Sequence, residues 1–166
     1  MTAAQKLSAS LEDYIEAIYL LGGDETEVRP KEIIARMGVT GPSVTEALRL
    51  LSDKDLIHYV PYGAVTLTDA GKSVAQGVYH RHKTLKRFFI EILGIDEADA
   101  EKGACEMEHV ASPDLVYRLV LYTSFVQKNL CDDPQGVVAR FKQFVEQREK
   151  NTCRSKIQDK NGSESQ

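Results

Sequence analysis

Residues 39–51 read V-T-G-P-S-V-T-E-A-L-R-L-L. Val44, Leu48 and Leu51 recur at helical spacing and mark the inward stripe of a helix. Thr40 is the expected N-cap, and Pro42 falls in the first turn, where its missing N–H has no intrahelical partner to lose. Just upstream, P-K-E-I-I-A-R-M (30–37) predicts a helix led by Pro30, with Ile33 and Ile34 as its apolar pair and Gly38 as its stop. Two helices joined by a short Gly-containing turn have the outline of a helix-turn-helix. Downstream of Asp53–Asp55 the period changes. L-I-H-Y-V-P-Y-G-A-V-T-L-T (56–68) reads as two short strands around a tip at Pro61 to Ala64. A hairpin directly after a helix-turn-helix makes a winged helix.

Ser8 to Leu21 is apolar at Leu11, Ile15, Ile18 and Tyr19, a helical pattern. Ser10 is the expected cap, with Asp13 three residues on, and Gly22 to Asp24 forms the turn that follows. Thr68 caps a long helix from about Ala70 to Leu93, with Val74, Val78, Leu85, Phe88, Phe89 and Ile92 on its apolar positions, closed by Gly94. Asp96 caps a helix reaching about Val110. Ser112 and Pro113 start another that ends near Val126 to Lys128, and Asp133 and Pro134 start the last, through Phe141, Phe144 and Val145. The fold class is therefore mainly α with a small β-hairpin wing. An N-terminal winged helix-turn-helix (1–70) precedes an all-helical domain (71–150). The polar tail, 151–166, is expected to be disordered.

The chain has 166 residues, 42% hydrophobic and 28% charged, enough for a real core and an ordinary globular mix. No apolar run approaches the ~20 residues of a membrane span, so no membrane association is expected. The start, M-T-A-A-Q-K-L-S, lacks the apolar core of a signal peptide. Three widely spaced cysteines do not make a disulfide framework, which points to a reducing cytoplasm. A net charge of −4 argues weakly against nucleic acid as a partner, although clustered acids that bind cations distort such an average. A Gly-rich phosphate loop, H-E-x-x-H and G-x-S-x-G are all missing, so no enzyme is indicated.

The chemistry concentrates in A-C-E-M-E-H-V-A (104–111). Cys105, Glu108 and His109 stand at i, i+3 and i+4, on one helical face. Asp13 and Glu16, at i and i+3, share another face, and His82 lies midway along the long helix. Thiolate, carboxylate and imidazole together suit Fe(II), Co(II), Zn(II) or Mn(II) rather than Ca²⁺ or Mg²⁺. The plain alternative is a Cys that packs as a small hydrophobe and carboxylates that line solvated faces. Spacing alone does not tie the upstream pair to the downstream stripe. Glu106 and His109 form one Glu-x-x-His, but a di-iron bundle needs two, and His58, His80 and His82 lack a Glu three residues before them.

Five segments carry a resemblance over about residues 8–148: E-D-Y-I-E-A-I-Y (12–19), G-P-S-V-T (41–45), V-Y-H-R-H (78–82), L-G-I-D-E (93–97) and A-C-E-M-E-H-V (104–110). In order and spacing the chain resembles the diphtheria-toxin-repressor family of metal-dependent transcriptional regulators, including its manganese-responsive branch. The resemblance implies that a metal couples the DNA-binding domain to a helical metal-binding and dimerisation domain, with Asp13, Glu16, His82, Cys105, Glu108 and His109 as ligands. Asp13 and Glu16 look like the manganese branch. Cys105 looks like the iron branch, whose other members carry a thioether at the position of Asp13. Lys86 and Glu101 replace two ligands of the iron branch's ancillary site, which is therefore not expected here in its usual form. Cys105 replaces a carboxylate that helps the manganese branch hold a second ion, so a two-metal cluster is in doubt. A third, SH3-like domain of longer members is not expected.

The family resemblance further implies a homodimer on double-stranded DNA. Its two winged helices would reach successive major grooves ~34 Å apart on a palindromic operator, repressing metal-uptake genes. Thr40, Pro42, Ser43, Thr45, Glu46 and Arg49 open the recognition helix, where hydroxyls, an apolar edge, a carboxylate and a guanidinium can meet phosphates or bases. Lys31 and wing Tyr62 are weaker candidates. Residues 27–68 hold five Lys/Arg and five Asp/Glu, so this domain has no standing basic excess. A thiolate favours Fe(II), Co(II) or Zn(II), whereas two hard carboxylates pull towards Mn(II). The reading is Fe(II) first and Mn(II) next, with Co(II) or Zn(II) able to bind in vitro.

Overall fold

The computed structural model describes residues 7–61, 63–129, 136 and 139–147. Element order is α1 (Ala9–Leu20), α2 (Pro30–Met37), α3 (Gly41–Ser52), β1 (Ile57–Tyr59), β2 (Val65–Leu67), α4 (Asp69–Glu91), α5 (Glu97–Glu108) and α6 (Pro113–Asn129). Residue 136 and residues 139–147 are helical as well. The expected helix start at Asp133 and Pro134, the tail 151–166 and wing Tyr62 lie outside the described residues.

The chain separates into two compact units. Among the described residues, the first holds those up to His82 and Glu108–Val110, and the second holds Lys83–Met107 and those from Ala111 on. Both α4 and α5 run from one unit into the other, crossing at His82/Lys83 and at Met107/Glu108.

In the first unit, α1, α2 and α3 pack with the hairpin around Ile15, Ile18, Val28, Ile33, Val44, Leu48, Leu51 and Val65. These side chains are essentially inaccessible to solvent, so truncating one of the leucines to Ala costs ~2–5 kcal/mol. The hairpin is antiparallel, with Ile57, His58 and Tyr59 opposite Leu67, Thr66 and Val65. Val28, just before α2, bridges to Val65 with reciprocal backbone hydrogen bonds of 2.9 and 2.8 Å. That bridge ties the entry to the helix-turn-helix to the wing's inner strand.

Helix ends follow local chemistry. Thr40 accepts from Ser43 N and starts α3, and Gly38, at φ 66°, reverses the chain between α2 and α3. The cap of α1 differs from expectation. It is Ser8, accepting from Leu11 N at 3.4 Å, and Ser10 sits inside the first turn. Two serines two positions apart look equivalent in sequence, and placing Leu11, Ile15 and Ile18 in the core selects the earlier one.

In the second unit, Asp96 Oδ1 accepts from Ala98 N and Asp99 N to start α5, and Ser112 Oγ accepts from Leu115 N to start α6. Lys86 on α4 reaches Glu97 and Glu101 on α5 at 3.0 and 2.8 Å. Phe88 meets Phe89 and Tyr122 edge-on. Leu115, Tyr117, Val120, Leu121, Tyr122 and Phe125 on α6 stay exposed. The fold is mainly α with one two-stranded wing, as expected.

Candidate metal centre and nucleic-acid interface

One stripe of α1 turns charge inward. Glu12 and Tyr14 are buried beside Leu11 and Ile15, while Asp13 and Glu16 are half-buried. Helix α4 presents Arg81 and His82, and α5 ends at Glu108, leaving His109 in the turn beyond it. The expected helix to Val110 therefore stops two residues earlier. His109 leaves the helical register and approaches α1.

These groups interlock. Glu108 is fully buried, and its Oε2 lies 2.7 Å from His82 Nδ1. His109 Nδ1 lies 2.9 Å from Glu12 Oε2, and His109 Nε2 lies 2.9 Å from Asp13 Oδ1 and 3.5 Å from Glu108 Oε1. Asp13, Glu108 and His109 each offer a ligand atom within 4.8 Å of the others. Glu16, His82 and Glu108 form a second such group. Glu108 is common to both, one oxygen turned towards His82 and the other towards His109. Cys105 stands one helical turn before Glu108 on α5 and is exposed.

Crowding shows in the acid–base balance. Burial, reinforced by the charge of Glu108, pushes Glu16 up to about 7. Burial also raises Asp13, with His109 opposing and Glu108 adding to the shift. For His109 burial favours the neutral ring, but the hydrogen bond to Glu12 and the charges of Asp13 and Glu108 outweigh it, so its pKa is raised. Imidazolium and carboxylate thus compensate each other inside the cluster.

Glu108 Oε1 is buried and, among the described residues, accepts no hydrogen bond; His109 Nε2 approaches it only at ion-pair distance, 3.5 Å. A buried carboxylate oxygen without a hydrogen bond is costly, and a cation is what such an oxygen suits. Three carboxylates and two imidazoles form a donor set for a divalent transition ion, so the residues fit one.

The family resemblance had singled out Asp13, Glu16, His82, Cys105, Glu108 and His109; the fold brings Asp13, Glu16, His82, Glu108 and His109 together, and Cys105 stands one turn before Glu108. The resemblance had not singled out Glu12 or Arg81. Glu12 stands four residues before Glu16, hence on the same face, and that was its available signal. Arg81 Nη2 donates to Glu12 Oε2 at 3.0 Å, and Arg81 Nε donates to the Glu108 carbonyl at 2.8 Å. These partners lie 69 and 27 residues away in sequence, beyond any spacing rule.

The residues expected to face DNA behave differently. Thr40, Pro42, Ser43, Thr45, Glu46 and Arg49 are all exposed on the face of α3 opposite its buried Val44, Ala47, Leu48 and Leu51. Lys31 is exposed on α2. Thr40 and Ser43 hydroxyls are 2.9 Å apart, Thr45 Oγ1 donates to Gly41 O at 3.0 Å, and Arg49 and Glu46 are loosely paired at 3.9 Å.

Family models match both parts of the chain. Residues 6–65 match the N-terminal DNA-binding domain of iron-dependent repressors, and residues 68–137 match their metal-binding and dimerisation domain. An uncharacterized HTH-type transcriptional regulator of Methanocaldococcus jannaschii is 33% identical over 117 residues, 70% of this chain and 94% of that protein. The chain belongs to the iron-dependent repressor family, also called the diphtheria-toxin-repressor family. Family members are DNA-binding transcriptional regulators, not enzymes, and they dimerise through the C-terminal domain. The transcriptional regulator MntR of Escherichia coli is 33% identical over 68% of this chain and 72% of its own length. A solved manganese-dependent transcriptional repressor in complex with manganese superposes with a TM-score of 0.63 at 29% identity, over 69% of this chain and 53% of that one. The match thus spans about half the length of that repressor and of the solved manganese regulator SloR. No helix among the described residues is long and apolar enough to cross a membrane.

Proposed function

We propose that this chain is a metal-dependent, DNA-binding transcriptional repressor that responds to Fe(II) and controls metal-uptake and homeostasis genes in the cytoplasm. The observation that carries the proposal is the convergence of Asp13, Glu16, His82 and His109 on the buried Glu108 carboxylate, in a chain of this family. Residues 1–70 act as the DNA-binding domain and 71–150 as the metal-binding and dimerisation domain.

Asp13, Glu16, His82, Glu108 and His109 are the proposed ligands, and Cys105 joins them from one turn back on α5. A divalent ion supplies the positive charge that offsets carboxylates otherwise crowded together. Glu16 and Asp13 hold α1 to the cluster, His82 holds α4, and Glu108 and His109 hold the end of α5. The cluster therefore fixes the first helix of the winged domain against the two helices that lead into the rest of the chain. DNA affinity shifts only as far as the bound ion favours the DNA-competent arrangement. The exposed apolar side chains of α6 serve the homodimer, and two winged helices read a palindromic operator through Thr40, Pro42, Ser43, Thr45, Glu46 and Arg49. Lys31 and wing Tyr62 add flanking contacts.

Fe(II) is the first choice because a thiolate joins hard carboxylates at one site. Mn(II) is the second reading, favoured by the likeness to a manganese-dependent repressor. Co(II) and Zn(II) fit the same donors in vitro. The test is metal binding by anaerobic titration of the wild type and Cys105→Asp with Fe(II) and Mn(II). The Fe(II) reading expects the substitution to weaken Fe(II) more than Mn(II). Equal loss for both ions contradicts it.

A further inference from the structure

We propose that Glu12 and Arg81 are positioning residues that select which nitrogen of His109 faces the metal cluster. The proposal rests on the metal reading above and concerns a carboxylate that the ligand groups leave out. Glu12 is buried, and its Oε2 is shared by two donors, His109 Nδ1 at 2.9 Å and Arg81 Nη2 at 3.0 Å. Glu12 belongs to neither cluster of converging ligand atoms. With a proton fixed on Nδ1 by Glu12, the lone pair available for ligation is on Nε2. Nε2 is the atom directed at Asp13 Oδ1 and Glu108 Oε1. A histidine that ligates a metal typically gives its other ring N–H to a carboxylate, which fixes tautomer and ring orientation.

Arg81 completes the arrangement. Its Nη2 compensates the buried Glu12 charge, and its Nε binds the Glu108 carbonyl at the very end of α5. One guanidinium therefore sets the distance between the carboxylate that orients His109 and the backbone from which Glu108 and His109 project. The rigid fork of Arg makes both contacts at once, a geometry Lys does not reproduce.

The test uses the full chain and Zn(II) as probe, in competition with a chromophoric chelator. Wild type, Glu12→Ala, Glu12→Gln and Arg81→Ala are compared, with circular dichroism of each metal-free variant as the folding check. Glu12→Ala is expected to lose ~10–100-fold in Zn(II) affinity, with Arg81→Ala losing less because Glu12 remains. Glu12→Gln, which still accepts from Nδ1, is expected to recover most of that loss. Imidazole ¹⁵N shifts of the Zn(II)-loaded wild type should report Nδ1 protonated and Nε2 bound, and Glu12→Ala should lose that signature. Unchanged affinity and shifts in a folded Glu12→Ala overturn the proposal. Should that variant not fold, Arg81→Ala with wild-type affinity, or Glu12→Gln with His109 bound through Nδ1, overturns it instead. A wild type that binds no Zn(II), Fe(II) or Mn(II) sinks the metal reading and this proposal together, an outcome distinct from a wild type that binds and variants that do not differ.

Discussion

The cluster at the end of α5 and the exposed face of α3 are both polar surfaces built on helices, yet they obey different physics. In the cluster Glu108 is fully buried, Glu12 and His109 are nearly so, and each group meets a partner at 2.7–3.0 Å. Removing one leaves another charge buried and unpaired, so effects there are large and not additive. On α3 the Arg49–Glu46 pair is wide and well exposed, a geometry that contributes little to stability. One surface is committed to a single arrangement, and the other keeps its hydrogen-bonding capacity for a partner.

The largest effect should therefore come from Glu108→Ala. It removes the carboxylate shared by both ligand groups and strands His82 and His109. Metal-dependent DNA binding is expected to vanish in an electrophoretic shift assay, with metal affinity down more than the ~100-fold typical of losing an outer-shell partner. Near-wild-type metal affinity would break the contrast between the two surfaces.

Arg49→Ala should leave metal affinity and thermal stability near wild type while weakening DNA binding by about 1–3 kcal/mol if Arg49 meets a base. A uniform loss across operator variants with a shallower salt dependence would instead make it a phosphate contact. Destabilisation of the free protein comparable to a core truncation would contradict its assignment to an open surface.

Cys105 lies between the two extremes, exposed yet one turn from the buried Glu108. Peroxide is expected to abolish metal-dependent DNA binding of the wild type and to spare Cys105→Asp, because an accessible thiolate oxidises readily. Equal sensitivity of both proteins would remove Cys105 from the site.

The smallest expected effect concerns pH. Glu16 titrates near 7 in the folded protein, above its ordinary 4.5, so the metal-free fold binds that proton more tightly than the unfolded chain. Asp13 and His109 are raised as well, so the metal-free protein should gain stability as pH falls from about 8 to about 6. Metal needs these ligands deprotonated, so the melting-temperature gain from added metal should shrink over the same range. Thermal melts with and without Zn(II) at both ends of the range check both signs.

How much was legible in sequence follows the same division. The recognition helix could be read residue by residue, because Thr40, Pro42 and the Val44–Leu48–Leu51 stripe are local signals that the fold reproduces. The wing was legible from its change of period, but the Val28–Val65 bridge was not, since it pairs residues 37 positions apart with no pattern linking them. In the centre, Asp13, Glu16, His82, Glu108 and His109 could be named, but from a family resemblance rather than from spacing. Glu12 was passed over because a carboxylate in a helix's first turn is an ordinary surface choice. Its role appears only when Arg81 and His109 arrive from distant segments. Ser8 replaced Ser10 as cap for a similar reason, since burial of the apolar stripe decides between candidates two positions apart.

The most direct test of the central claim is DNA binding by the full chain to its own upstream region, measured anaerobically against buffered Fe(II), Mn(II), Co(II) and Zn(II), with chelator controls. The account expects binding only when metal is present, Fe(II) acting at the lowest free concentration among ions available to the cell. Equally strong binding in chelator would contradict it, leaving the cluster at Glu108 as a structural feature of a metal-independent regulator.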